Sequence, residues 1–129
     1  MCLSTVTKTI EHPTDDERVA WKLFVHSGSR RKSDLIGPYY SVAGRTQDES
    51  PWPRNQWLEA VATDIQMTNR FGPTGCYKSG FHCYRTRADA RWARDIYERL
   101  LRVRVRKVKY EGTQDASRVL VADELYIPA

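Results

Sequence analysis

Cys76, His82 and Cys83 lie close together in the stretch CYKSGFHC, and with Cys2 they form a ligand set that zinc accepts. The spacing argues against it. His82 and Cys83 are neighbours on a predicted strand, so their side chains point to opposite faces. Cys76 and Cys83 also lack the two-residue separation of a zinc knuckle, so no metal is assigned to this set. A second candidate is Cys2, because removal of Met1 would place its thiol beside a free amine, one known way to activate a thiol.

A larger group of residues could hold an anion. Within residues 70–109 there are twelve Lys/Arg against three Asp/Glu. Arg85, Arg87, Arg91 and Arg94 fall on a predicted strand-to-helix unit, and Arg102, Arg104, Arg106, Lys107 and Lys109 follow on the next predicted strand. Arginine makes bidentate contacts to phosphate and carboxylate. Tyr77, Tyr84 and Tyr97 lie among these charges, where aromatic rings can stack on bases or anchor a protein interface. No zinc finger and no RNP signature is present. Phosphate contacts give affinity without base reading, so the pattern fits an acidic nucleic acid and an acidic protein surface equally well.

The elements that must position these residues can be read from periodicity. VAWKLFVH (19–26) alternates as a strand, with Val19, Trp21, Leu23 and Val25 on one face and Ala20, Lys22, Phe24 and His26 on the other. Residues 1–10 read as an edge strand, LIGPYYSV as an interrupted edge strand, and WLEAVA as a short strand. Residues 43–56 and TDIQMTNRFGPTG read as loops. GFHCYR is a strand leading into a Thr86-x-x-Asp89 capping box. The spacing predicts a helix over about 87–101, with Trp92, Ala93, Ile96 and Leu100 as its apolar stripe. Arg87, Arg91 and Arg94 form an opposite, solvent-facing row. RVRVRKVKY alternates and then slips phase, which predicts a bulge near Arg106–Lys107. VLVADELYIP returns as its hairpin partner. The expectation is an α+β fold: one domain over 1–129, a mostly antiparallel sheet, and one principal helix packed on it.

The bulk numbers fit one compact core. The chain has 129 residues, 40% hydrophobic and 29% charged, with a net charge of +5. No apolar run reaches the roughly 18 residues of a membrane span. The N-terminal residues do not have the pattern of a secretory signal. Three cysteines without such a signal imply reduced thiols and a cytoplasmic setting, that of a bacterial host cell if the likeness below holds.

MCLSTV, YKSGFHCY, VRKVKYEGTQD and VLVADELYIP resemble a family of small uncharacterised phage and bacterial proteins, and SGFH is similar to a second group of phage-type domains. This resemblance implies a mobile genetic element and a role in occluding host defence or nucleic-acid machinery. MC is similar to the start of N-terminal-nucleophile glutamine amidotransferases, although Leu3 stands where they usually carry glycine. There is also a partial likeness to the ADP-ribosyltransferase fold, in LFVHSGS, GFHCYRTRADARWA and VLVADELYIP. It implies NAD as cofactor, with His26 holding a ribose hydroxyl, Tyr84 stacking on nicotinamide and Glu124 stabilising the oxocarbenium. Ser27 replaces the glycine usual after that histidine. The expectation is therefore a non-enzymatic binding or inhibitor protein without a cofactor. It would engage an acidic macromolecule, either nucleic acid or a host nucleoprotein complex, and no membrane. NAD-dependent ADP-ribosyl transfer is the alternative, and a structural or oligomerising phage component is the third option.

Overall fold

The structure is a computed structural model that describes residues 3–26, 35–36, 52–61, 64–69, 71–95 and 98–128. Among these the elements are β1 (Thr5–Thr9), β2 (Arg18–His26), β3 (Leu35–Ile36), β4 (Trp57–Glu59), β5 (Asp64–Asn69), β6 (Gly72–Lys78), β7 (Phe81–Tyr84), α1 (Arg87–Ala93), β8 (Glu98–Gln114) and β9 (Ser117–Tyr126). The main sheet runs β1-β8-β2-β7-β9-β4, with β3 added to β2, and β5-β6 forms a separate two-stranded sheet. Each of these pairings is antiparallel. The fold is therefore sheet-dominated with one short helix, rather than a sheet carrying a principal helix.

The length of β8 lets the sheet close on itself. Its first half pairs with β2 and its second half with β9 and β1. Since β2 also bonds β7 and β7 bonds β9, the strands β2, β7, β9 and β8 form a ring. Ala20, Phe24, Phe81, Cys83, Val103, Val105, Leu120, Ala122 and Leu125 fill one side of it, capped by Trp52, Leu58 and Ile127. On the other side, Leu23, Tyr84, Val119 and Val121 pack beneath Leu3, Tyr77 and Ala90. Alternating side chains on these strands thus meet apolar neighbours on both faces. Truncating a fully buried ring such as Phe81 is expected to cost about 3–5 kcal/mol.

Local signals in the chain account for several junctions. Lys107 takes φ 55°, its amide bonds Thr14 O at 2.8 Å, and the β8–β9 register shifts between Val108 and Tyr110. This is the bulge that the phase slip predicted. Gln114 faces Ser117 across a two-residue turn in which Asp115 (φ 48°) and Ala116 (φ 71°) are both left-handed. That is the turn that suits the twist of a hairpin. At Gly112 a Cβ would lie 2.1 Å from Thr5 O, so only glycine lets β1 dock on β8.

Three sequence expectations change. The helix stops at Ala93, Arg94 is already extended (φ −68°, ψ 129°), and Glu98–Leu101 belong to β8. Pairing of 98–105 with 18–25 satisfies the backbone of both segments and places Leu100 opposite Leu23, which outweighs the local helical pattern. Trp92, expected in the apolar stripe, is 80% exposed. Within TDIQMTNRFGPTG, expected as a loop, Asp64–Asn69 is β5 and residues 72–75 belong to β6, with Gly72 (φ 114°) and Gly75 (φ 145°) absorbing the irregularities of the hairpin. In the predicted 43–56 loop, residues 43–51 lie outside the described residues. Trp52 does not stay at the surface: it packs edge-on against Phe24 at 5.6 Å. Of LIGPYYSV, only Leu35–Ile36 is described, paired with Val25–His26.

Candidate functional site

Helix α1 begins as its capping residues require. Thr86 Oγ1 accepts the Asp89 amide at 3.1 Å and donates to the Asp89 carboxylate. Arg118 adds bonds from its amide and Nε to the same carboxylate, each at 3.2 Å. Burial alone would raise the Asp89 pKa, but these donors outweigh it and hold the group below its ordinary value. Ala90 is the buried contact of the helix with the sheet. This docking turns Arg87, Arg91 and Arg94 towards β2 and the start of β8.

The result is an open groove of about 770 Å³ lined by Val19, Trp21, Arg87, Arg91, Arg94, Arg99, Leu100 and Arg102. Its apolar residues, Val19, Trp21 and Leu100, come from β2 and β8. Arg102 is the direct cross-strand partner of Trp21 on β8, and Tyr84 is its partner on β7. Among the described residues, Arg87, Arg91, Arg99 and Arg102 make no ion pair, and Arg94 Nε bonds a backbone oxygen, Glu98 O, at 2.8 Å. The Glu98 carboxylate is turned to the Asp95 amide at 3.0 Å. So five guanidinium groups share one concavity, with no carboxylate among the described residues that line it.

The other predicted cations sit differently. Arg104 pairs with Glu17 at 3.2 Å and lies over the Tyr126 ring at 4.2 Å. Arg106 bonds Glu124 and lies over Trp57 at 4.0 Å, while Lys107 reaches Glu124 at 3.2 Å. Lys109 is buried against Asp123 at 2.7 Å and Ser79 O at 2.5 Å. These four are neutralised and do not join the groove. Arg85 is exposed, outside the groove lining, and Tyr97 lies outside the described residues. Sequence reasoning missed Val19, Trp21, Arg99 and Leu100 as groove residues. The helix extended to 101 hid the strand pairing that sets Arg102 opposite Trp21 and Leu100 opposite Leu23.

Of the alternative His-Tyr-Glu set, Tyr84 and Glu124 stand apart. Tyr84 faces Val119 on β9, and Glu124 lies five residues further along that strand, about 16 Å away at strand rise. Tyr84 is buried, and burial, then Glu98, pushes its phenol up to about 12. Glu124 is buried and committed to Arg106 and Lys107. Burial opposes its ionisation, yet the two cations hold its pKa below the ordinary value. The side chain of His26 and all of Cys2 lie outside the described residues.

The zinc set is likewise separated. His82 is buried, with Nδ1 donating to Gly80 O at 3.0 Å. A carbonyl can only accept, so Nδ1 carries the proton and Nε2 accepts from the Tyr77 hydroxyl at 2.7 Å. Tyr77 in turn accepts the Leu3 amide at 2.9 Å. Burial, then the nearby Lys22, pushes His82 down to about 3 despite its bond to Gly80. Both ring nitrogens are thus occupied. Cys83 points to the opposite side of the sheet, and Cys76 is exposed on β6. Among the described residues no group of three His, Cys, Asp or Glu side chains could hold a metal.

Lys22 is the remaining unusual group. It is buried between Ala20 and Phe24, donates to His82 O at 2.8 Å and lies 5.9 Å from the Trp52 ring centroid. Burial lowers its pKa, partly opposed by Cys83. Burial raises that thiol, with Lys22 opposing. No helix of the described residues is long and apolar enough to cross a membrane. No family model, no curated protein and no solved structure matches the chain.

Proposed function

We propose that this protein is a non-enzymatic binding module that engages an acidic macromolecular partner through the arginine groove. One observation carries the reading: Arg87, Arg91, Arg94, Arg99 and Arg102 converge on one concavity whose described lining holds no carboxylate. Unpaired guanidinium groups held close together repel one another, so an anion that enters relieves that repulsion and gains charge-assisted bonds. The described lining has no carboxylate, histidine, thiol or hydroxyl. It therefore supplies neither a nucleophile nor a general base, and occupancy rather than conversion is the chemistry it supports. In the phage-type setting that the sequence resemblance implies, such a module would inhibit by covering an acidic surface of host nucleic-acid or defence machinery.

The test is direct. Binding of labelled polyanions (single-stranded DNA, RNA, duplex DNA and polyglutamate) is measured by anisotropy at low and moderate salt. At least one should bind at low salt and weaken steeply as salt rises. Replacing Arg87, Arg91 and Arg102 together by Gln should abolish that binding while leaving the thermal unfolding midpoint in place. Absence of binding by every polyanion at low salt overturns the proposal.

A further inference from the structure

We infer that the groove takes single-stranded nucleic acid, with one base stacked on Trp21 and the flanking phosphates held by the arginines. This rests on the polyanion reading above and narrows it to one ligand class. The apolar part of the lining is the deciding feature. The acidic side chains of a peptide would use the guanidinium groups but supply no flat ring for the Trp21–Val19–Leu100 surface. A nucleotide has both an anion and a π-face, and these meet the two halves of the lining.

The placement of the charges agrees. Arg87 and Arg91 stand about one turn apart on α1, and Arg94 follows as the residue that caps its C-terminal end. At helical rise Arg87 and Arg91 lie about 6 Å apart, and stacked nucleotides advance about 3.4 Å each, so with Arg94 beyond them the group can meet more than one phosphate. Arg99 and Arg102 complete the rim from β8, with Arg102 directly beside Trp21 on the neighbouring strand. A duplex fits this arrangement poorly. Its base faces are covered by their neighbours, and a ring in the lining of a concavity can reach them only where the strand is unpaired. Trp92, 80% exposed on the same helix, offers a second ring to a strand leaving the groove.

The experiment compares a short fluorescein-labelled oligothymidylate with its duplex and with polyglutamate of matched charge, at one low salt concentration. The single strand should bind at least about 10-fold more tightly than either competitor, the contribution of a stacked base. Trp21→Leu should lower single-strand affinity by about the same factor and leave the salt slope unchanged, since no phosphate contact is lost. If that variant does not fold, ultraviolet crosslinking of a halouracil-substituted strand to the wild-type protein is mapped by mass spectrometry and should mark the Trp21 peptide. Equal affinity for duplex or polyglutamate, an unchanged Trp21→Leu affinity, or crosslinks confined to other aromatic residues overturns this inference while leaving polyanion binding intact. Loss of all polyanion binding overturns both.

Discussion

His82 shows how one buried side chain ties three segments of the chain together. Its Nδ1–H is fixed on Gly80 O and its Nε2 takes the Tyr77 hydroxyl proton, while Tyr77 holds the Leu3 amide. The network works only with a neutral ring, because a protonated Nε2 would face the hydroxyl proton in a site closed to water. The folded pKa of about 3 lies below the ordinary 6.5, so the unfolded chain takes up the proton first. Stability from this group is complete above pH 6.5, falls as pH drops below it, and is lost as pH nears 3. Between pH 6.5 and about 4.5 the loss should reach roughly 2–3 kcal/mol. Asp89 and Glu124 also have depressed values, but their losses begin only below the ordinary carboxylate range. Urea unfolding at stepped pH checks this. His82→Gln should cost about 1–2 kcal/mol at neutral pH and flatten the slope in that window. An unaltered slope would place the acid sensitivity elsewhere.

At the scale of elements, the signals that were legible in the sequence were local ones. Thr86 and Asp89 are three residues apart and form their cap whatever packs nearby. The phase slip after Arg106 announced a bulge that Lys107 and Val108–Tyr110 supply. The end of α1 was not legible, because it is decided by residues 18–25, far away in the chain, pairing with 98–105. The β5–β6 hairpin was hidden because its glycines read as loop breakers, whereas Gly72 and Gly75 accommodate positive φ within the strand. The β8–β9 turn leads to a prediction of its own. Ala116 holds φ 71°, a conformation that costs a residue with a Cβ and costs glycine little. Ala116→Gly should raise stability by about 0.5–1 kcal/mol, the turn gain exceeding the entropy glycine adds to the unfolded chain. Thermal unfolding would register this as an upward shift of the midpoint. A downward shift would mean that Ala116 makes a contact worth more than its backbone strain.

Over the whole molecule, closure of the sheet sorts the positive charge into two populations. Composition alone counted them as one. Where β8 pairs with β9 and approaches residues 15–17, Arg104, Arg106, Lys107 and Lys109 meet Glu17, Glu124, Asp15 and Asp123. Where β8 begins, beside α1 and β2, Arg99 and Arg102 share a lining with Arg87, Arg91 and Arg94 that has no carboxylate among its described residues. Cross-strand neighbours decide which charges are spent on stability, and those neighbours depend on register, which a single sequence does not display. The two populations should therefore separate in experiment. Arg106→Gln removes one of two cations from the buried Glu124 and should cost about 1–3 kcal/mol of folding stability, with oligonucleotide affinity unchanged. Replacing Arg91 and Arg102 together by Gln should change stability by no more than about 0.5 kcal/mol per site. That pair should also make the slope of log affinity against log salt shallower by about 1.4, two phosphate contacts on a single strand. Chemical denaturation and salt-dependent anisotropy on the same two proteins provide both readouts. If Arg106→Gln weakens binding as much as the groove pair does, the ligand is drawn by a diffuse positive field and the groove has no special part in holding it.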